Sequence, residues 1–319
     1  KDLKVMEIKV EEKPTGEIAA GAGVGTEGTS FSFLIKENNY LGRGLSVDAS
    51  LNVSEHAIRG GLSMKEPNFR NSGNLVWGGL TNTKTDRPDS GYKNTLTKFD
   101  LGTKFEHLTN LYVSPNISLT FDDLTVTDNA SSSMKKQAGN FTELTFGYGI
   151  EKDNRDRPFM PTSGSVVSFH QGLPLYSDQA SIYNSIYYTK YHLFTENVIG
   201  ALKFYGANVI AVEDDVRLSK RLHIPSRKLR GFESNKVGPK DGADYVGGNY
   251  ATALNFEAAL PNLLPESTQT DIAVFMDMGN LWSVDYDSTI NDSSGIRSSV
   301  GVSSNVYTPI GPLSFVFAL

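Results

Sequence analysis

The chain has 319 residues, 39% of them apolar and 21% charged. It is long enough for two ordinary domains or one large β-architecture, and too apolar to be disordered. A net charge of −6 leaves no basic surplus for binding nucleic acid, and the absence of cysteine excludes disulfide scaffolds, thiolate metal sites and cysteine nucleophiles.

No stretch approaches the roughly 18–20 apolar residues of a spanning helix. A transmembrane β-barrel stays open, because its strands show lipid only every second residue. No signal peptide precedes Lys1, so the sequence is expected to be a cytosolic protein or a piece of a processed one.

In chain order, Leu3, Val5, Ile8 and Val10 alternate with Lys and Glu up to Pro14-Thr15-Gly16, which reads as one strand closing an upstream soluble domain over residues 1–16. From residue 17 on, the apolar period is two almost throughout. Leu45, Val47, Ala49, Leu51 and Val53 alternate with Ser46, Asp48, Ser50, Asn52 and Ser54; Leu254, Phe256, Ala258 and Leu260 with Asn255 and Glu257; Ile272, Val274, Met276 and Met278 with Asp271 and Asp277. This predicts strands at 17–27, 29–38, 44–54, 57–66, 74–82, 94–106, 111–122, 140–152, 164–173, 181–194, 198–211, 248–260, 270–282, 296–307 and 313–319.

A soluble β-sandwich also alternates. Against it stand strand lengths of about nine to twelve residues, the span of a tilted membrane strand, and polar faces carrying charges and small residues, as the wall of a wet lumen does. Short turns (39–43, 107–110, 195–197, 308–312) are expected on one side and long polar loops (83–93, 123–139, 213–247, 283–295) on the other, the pattern of an outer-membrane barrel. The fold class predicted is all-β: a transmembrane antiparallel β-barrel over 17–319. Closed bacterial barrels have an even number of strands. A count of fifteen, with Phe315-Val316-Phe317-Ala318-Leu319 ending in mid-strand, therefore predicts a 16-stranded type whose last strand is missing from this chain.

The first strand is assigned Gly21, Gly23, Gly25 and Gly28. Gly23 to Gly28 spells G-x-G-x-x-G, but no helix follows, which argues against a dinucleotide site. Two readings remain: the glycines fit a narrow wall, or they weaken the strand.

Glu213 to Gly247 is too long for an ordinary connection and carries Arg217, Lys220, Arg221, Arg227, Lys228 and Arg230. It is a solvated loop, a basic patch for lipopolysaccharide, or an insertion into the lumen. Glu257 and Asp277 decide for insertion, since alternation puts both on the lumen face of adjacent strands. Carboxylates there need water or a partner. An Arg folded inward can bridge them, with Gly231 permitting a tight backbone and Phe232 packing on the wall. A glycosidase-like acid and base pair is the weaker alternative.

Leu229-Arg230-Gly231-Phe232, followed by Asn235 and Val237-Gly238-Pro239, resembles the Arg-Gly-Phe lumen-loop motif of the BamA family of outer-membrane protein assembly factors. The stretches Asn38-Asn39-Tyr40-Leu41-Gly42, Arg157-Pro158-Phe159-Met160-Pro161-Thr162-Ser163-Gly164 and Phe275-Met276-Asp277-Met278-Gly279-Asn280-Leu281-Trp282 agree with that family in the same order. The resemblance implies that residues 1–16 end the last polypeptide-transport-associated (POTRA) domain and that Arg230 pairs with Glu257 and Asp277. It also implies a bacterial outer-membrane protein that folds and inserts β-barrel clients through a lateral seam between first and last strands. The partners implied are unfolded outer-membrane proteins, lipoprotein subunits reached through upstream POTRA domains, and outer-membrane lipid and lipopolysaccharide. A secretion pore or translocation-and-assembly relative with one dedicated client shares barrel and motif. A diffusion porin would lack the Arg-Gly-Phe loop and need no soluble POTRA tail.

No catalytic residue, cofactor or metal is expected. The five histidines (56, 107, 170, 192, 223) show no ligand spacing, and Asp214-Asp215 and Asp285-Tyr286-Asp287 are weak Ca²⁺ candidates by spacing alone.

Overall fold

Fifteen of the strands join into one antiparallel sheet in nearly pure chain order. The computed structural model describes residues 9, 11, 13–25, 28–233, 235–292, 295–308 and 311–319. The strands are β1 (Gly16–Gly25), β2 (Gly28–Tyr40), β3 (Leu45–Ser54), β4 (Ala57–Glu66), β5 (Leu75–Arg87), β6 (Tyr92–Leu108), β7 (Leu111–Val126), β8 (Gly139–Asp153), β9 (Gly164–Ser177), β10 (Ser181–Thr195) and β11 (Val198–Ala211). A two-residue hairpin follows, β12 (Lys240–Asp241) with β13 (Asp244–Tyr245). The sheet then resumes with β14 (Tyr250–Leu260), β15 (Thr270–Trp282), β16 (Arg297–Thr308) and β17 (Gly311–Ala318). Each strand pairs with its chain neighbour, β11 pairs with β14 across the long loop, and β1 and β17 are the sheet's terminal strands.

Alternation builds this wall. Phe31, Phe33, Ile35, Leu51, Leu62, Phe99, Leu101, Ile117, Ile186, Phe204, Phe256, Val274 and Met276 lie exposed on its outer face. So broad an apolar surface is stable only against lipid. The opposite register carries Ser118, Thr120, Asp122, Glu143, Asn255, Asp277 and Ser299, all buried. Those side chains face the lumen, and among the described residues no helix is long and apolar enough to cross a membrane.

Two expectations change. The loop expected at 83–93 is mostly strand, because the β-branched Thr81, Thr83 and Thr85 favour extended backbone although the apolar alternation has ended; β5 and β6 pair out to Arg87↔Tyr92, and Pro88–Ser90 with left-handed Gly91 makes a tight turn. The asymmetry between the two ends lies instead in connections 127–138, 212–249 and 283–296, which share the outer end of the sheet. The other, periplasmic end has medium connections at 67–74, 154–163 and 261–269 beside its short turns. Loop 213–247 is also more regular than its composition suggests, holding 3₁₀ turns at Leu218–Lys220 and Ser226–Lys228 besides the β12–β13 hairpin. The expected upstream strand lies mainly on residues 1–8, 10 and 12, outside the described residues, and Gly16 already begins β1.

Two apolar clusters fill the interior. Val216, Leu222, Ile224, Leu229 and Val237 of the loop pack on Tyr205, Val209, Ala251, Ala253 and Leu281 of the wall. Nearer the outer mouth, Met134, Leu218 and Val246 bring two of the long connections together with Tyr92 and Leu124, while Val284 and Tyr286 of the third pack alongside.

Candidate functional site: the braced lumen loop

The long loop is held inside the barrel at both of its ends. Toward its tip, Leu229 is buried in the inner cluster and directs the next residue at the wall. Arg230 donates to Asp277 three times: from its backbone N–H to Oδ2 (3.0 Å), from Nε to Oδ2 (2.7 Å) and from a terminal nitrogen to Oδ1 (2.8 Å). Its other terminal nitrogen donates to Glu257 Oε2 at 3.1 Å. The guanidinium carbon lies 3.6 Å from the Phe275 ring centroid, a cation–π contact, and the Arg230 carbonyl accepts from Ser299 Oγ at 2.5 Å. Lys203 Nζ reaches the other Glu257 oxygen at 3.1 Å. Register explains this convergence, since Asn255 faces Asp277 and Glu257 faces Phe275 across β14 and β15.

Asp277 is wholly buried. Such a carboxylate is tolerated only with its hydrogen bonds satisfied, and Arg230 supplies them. Burial works against the guanidinium charge, but Asp277 and Glu257 outweigh it and hold its pKa above the ordinary value. Gly231 follows at φ +88°, where an added Cβ would come within 2.8 Å of Ala318 Cβ. Phe232 packs against the inner cluster.

Nearer the loop's start, Arg217 is buried with Nε 3.2 Å from Asp122 on β7 and a terminal nitrogen 3.9 Å from Glu143 on β8, its guanidinium over the Phe141 ring. Ser219 bridges Arg217 and Asp122, and Lys220 Nζ lies 2.5 Å from Glu143. Burial lowers the Arg217 pKa, only partly offset by those carboxylates. Arg221 pairs with Asp285, which also accepts from the Val216 N–H (3.1 Å) and Asn249 Nδ2 (2.8 Å). One loop thus ties β7 and β8 to β14, β15 and β16.

Two further loop groups are unusual. Lys228 Nζ sits 3.8 and 4.2 Å from the ring centroids of Tyr205 and Tyr187; burial and Arg227 push its pKa down to about 8, against the pull of the two ring faces. Both His223 ring nitrogens are buried without a partner, and burial, with Arg87 and Arg221 nearby, pushes its pKa down to about 3.

The structure thus brings Leu229, Arg230, Gly231, Phe232, Glu257 and Asp277 into one place. Gly21, Gly23 and Gly25 lie far off on β1, while Gly28 begins β2 at φ +84°, where a Cβ would meet Glu55. Asp285 is engaged by Arg221, and Asp287 accepts from Ser133 and Thr289. Among the described residues no carboxylate or histidine cluster is arranged to hold a metal ion. Sequence reading missed Asp122, Glu143, Lys203, Phe275 and Ser299. The available signal was a lone charge or aromatic ring in the lumen register of an alternating strand.

Over 97% of its length the chain is 24% identical to the outer membrane protein assembly factor BamA of Neorickettsia risticii, of which it spans 43%. Its fold superposes on BamA from Haemophilus ducreyi lacking POTRA domains 1–3 with a TM-score of 0.83 at 21% identity, covering 97% of this chain and 67% of that one. CdiB from Escherichia coli matches with a TM-score of 0.61 at 15% identity, over 98% of this chain and 60% of that one. The chain spans less than half the length of the curated relative. The Omp85 superfamily domain matches residues 39–319, the wall from β3 onward together with the braced loop, and the chain belongs to this superfamily of outer-membrane β-barrels.

Proposed function

We propose that this chain is the membrane barrel of an assembly factor that folds and inserts β-barrel proteins into the outer membrane, without making or breaking a covalent bond. The observation that carries the proposal is the fit to the BamA barrel, TM-score 0.83 against 0.61 for CdiB, with the lumen loop held by Arg230. Leu229, Arg230, Gly231 and Phe232, anchored by Glu257 and Asp277, act as a brace that keeps the barrel in its working shape.

On this proposal β1 is the templating edge of the lateral seam. An opened strand offers unpaired N–H and C=O groups, and in lipid a client strand gains a spanning structure only by pairing as it enters. Support comes from Gly21, whose added Cβ would meet nothing within 4 Å. Crowding does not impose glycine there, which favours a deliberately weak strand over a tight fit. The clients are unfolded outer-membrane proteins. Lipoprotein subunits bind upstream POTRA domains, of which residues 1–16 form the end, and membrane lipid with lipopolysaccharide surrounds the wall.

The test is the full-length protein in lipid vesicles with a small unfolded outer-membrane protein, its folding followed by heat-resistant gel mobility. Faster folding than in empty vesicles, reduced by Arg230→Ala, is expected. Ion conductance without acceleration would replace this reading with the secretion pore.

A further inference from the structure

On the lipid-facing side, β10, β11, β14 and β15 enclose a groove of about 580 Å³. Its floor is the small pair Gly200 and Ala258, aligned across the strands and continued by Val274. Leu202, Phe256 and Met276 form the parallel row toward the outside. Toward the periplasm the Phe194 ring folds over Gly200, where an added Cβ would meet it at 2.4 Å.

Along its β10 side the groove carries one lysine and one histidine. Lys190 and His192 line it from β10, in the register of the exposed Ile186. Lys190 stands across from Leu202 on β11 and Ser165 on β9, and His192 across from Gly200. Among the described residues Lys190 has no ion pair. It sits five residues before the periplasmic end of β10 at Thr195. At about 3.4 Å per residue and a tilt of about 40°, that is roughly 13 Å inside the edge of the wall. A lipid-facing lysine at this depth is unfavourable unless its ammonium reaches an anion at the interface.

We propose that this groove is a specific phospholipid site. An acyl chain lies over Gly200 and Ala258 between Leu202, Phe256 and Phe194, and the phosphodiester of an anionic glycerophospholipid of the periplasmic leaflet binds Lys190 and His192. Continuity with the apolar belt supplies the chain contacts, and the Lys190 ammonium with the His192 ring beside it supplies the headgroup contacts. Because β14 and β15 carry Glu257 and Asp277 on their opposite face, a bound lipid backs the wall that anchors the loop.

Native mass spectrometry of the full-length protein, released from detergent after incubation with phosphatidylglycerol, tests the site. Lys190→Gln should weaken retention of one phosphatidylglycerol about tenfold, the loss of one charge-assisted contact. Ala258→Phe, which fills the groove while keeping Lys190 and His192, should weaken it comparably. Diacylglycerol should not be retained, and millimolar inorganic phosphate should not displace the lipid. Retention unchanged in both variants, or equal retention of diacylglycerol, overturns the proposal. Displacement by inorganic phosphate reduces the feature to an anion site without the groove and likewise overturns it. If Lys190→Gln fails to fold, Ala258→Phe and the lipid comparison on the unaltered protein decide.

Discussion

Arg230 and Asp277 meet through three hydrogen bonds, two from the guanidinium and one from the same residue's backbone N–H, on a carboxylate with no exposure to solvent. The backbone bond fixes where the loop passes, and the side-chain bonds fix its orientation. Neither alone would do both.

Removing one partner from such a pair strands a buried charge. Arg230→Ala is expected to destabilise the folded barrel by about 3–5 kcal/mol, and Asp277→Asn by less, because the amide keeps part of the bonding. The double variant Arg230→Met, Asp277→Leu should recover much of the loss. The midpoint of heat-induced mobility shift on a gel measures all three. Additive losses in the double variant would show that the two residues do not act as a pair.

Arg217 is expected to act as a separate anchor, since its carboxylates Asp122 and Glu143 stand on β7 and β8, away from Asp277 on β15. Arg217→Met should expose residues 213–221 to protease while leaving the Arg230 end of the loop protected. Combined with Arg230→Ala the losses should add, as for sites sharing no partner. Cleavage spreading equally over the whole loop in the single variant would mean that the loop is held as one unit.

Gly21→Ala should strengthen β1 by about 0.5–1 kcal/mol, because the space for a methyl group is free and glycine is costly in a strand. If β1 opens to template clients, the same change should slow client folding in the vesicle assay. Hydrogen exchange of the β1 amides measures the first effect. Unchanged client folding with stronger β1 protection would remove β1 opening from the rate-limiting step.

The wall was legible because a lipid-facing barrel imposes one rule, period two, on its strands; Leu45 to Ser54 follow it without exception, and Ile272 to Met278 keep the outward apolar row although Ala273 and Phe275 face the lumen. The lumen face of Glu257 and Asp277 followed from the same rule, and the packing of Arg230 on them was reachable because a buried carboxylate demands a cation. Asp122 and Glu143 obey the rule equally, but nothing local says which of the eight lysines and arginines of the loop each will meet. That choice depends on the course of a 3₁₀-rich loop set by packing around Leu218 and Leu229. The turn at Arg87–Tyr92 was hidden for the opposite reason: Pro88, Asp89 and Gly91 signal a break, and a four-residue turn satisfies that signal as well as a long loop does.

His223 gives the loop a pH dependence of known sign. Its ordinary pKa is 6.5, and in place it falls to about 3, because burial and the nearby Arg87 and Arg221 all disfavour the imidazolium. Between those values a released loop takes up a proton that the docked loop refuses. The His223 contribution is therefore full above about pH 6.5 and falls on acidification by about 1.4 kcal/mol per pH unit, levelling off near 3. Carboxylates such as Asp285, held below its ordinary value chiefly by Arg221 against the opposing effect of burial, lose stability in the same direction. The histidine share is thus read as a difference between proteins. His223→Phe keeps the ring volume without the titration, so protease nicking of residues 213–247 should rise less steeply between pH 6.5 and 4 than in the unaltered protein. Equal slopes in the two would show that His223 stays neutral whether the loop is docked or free.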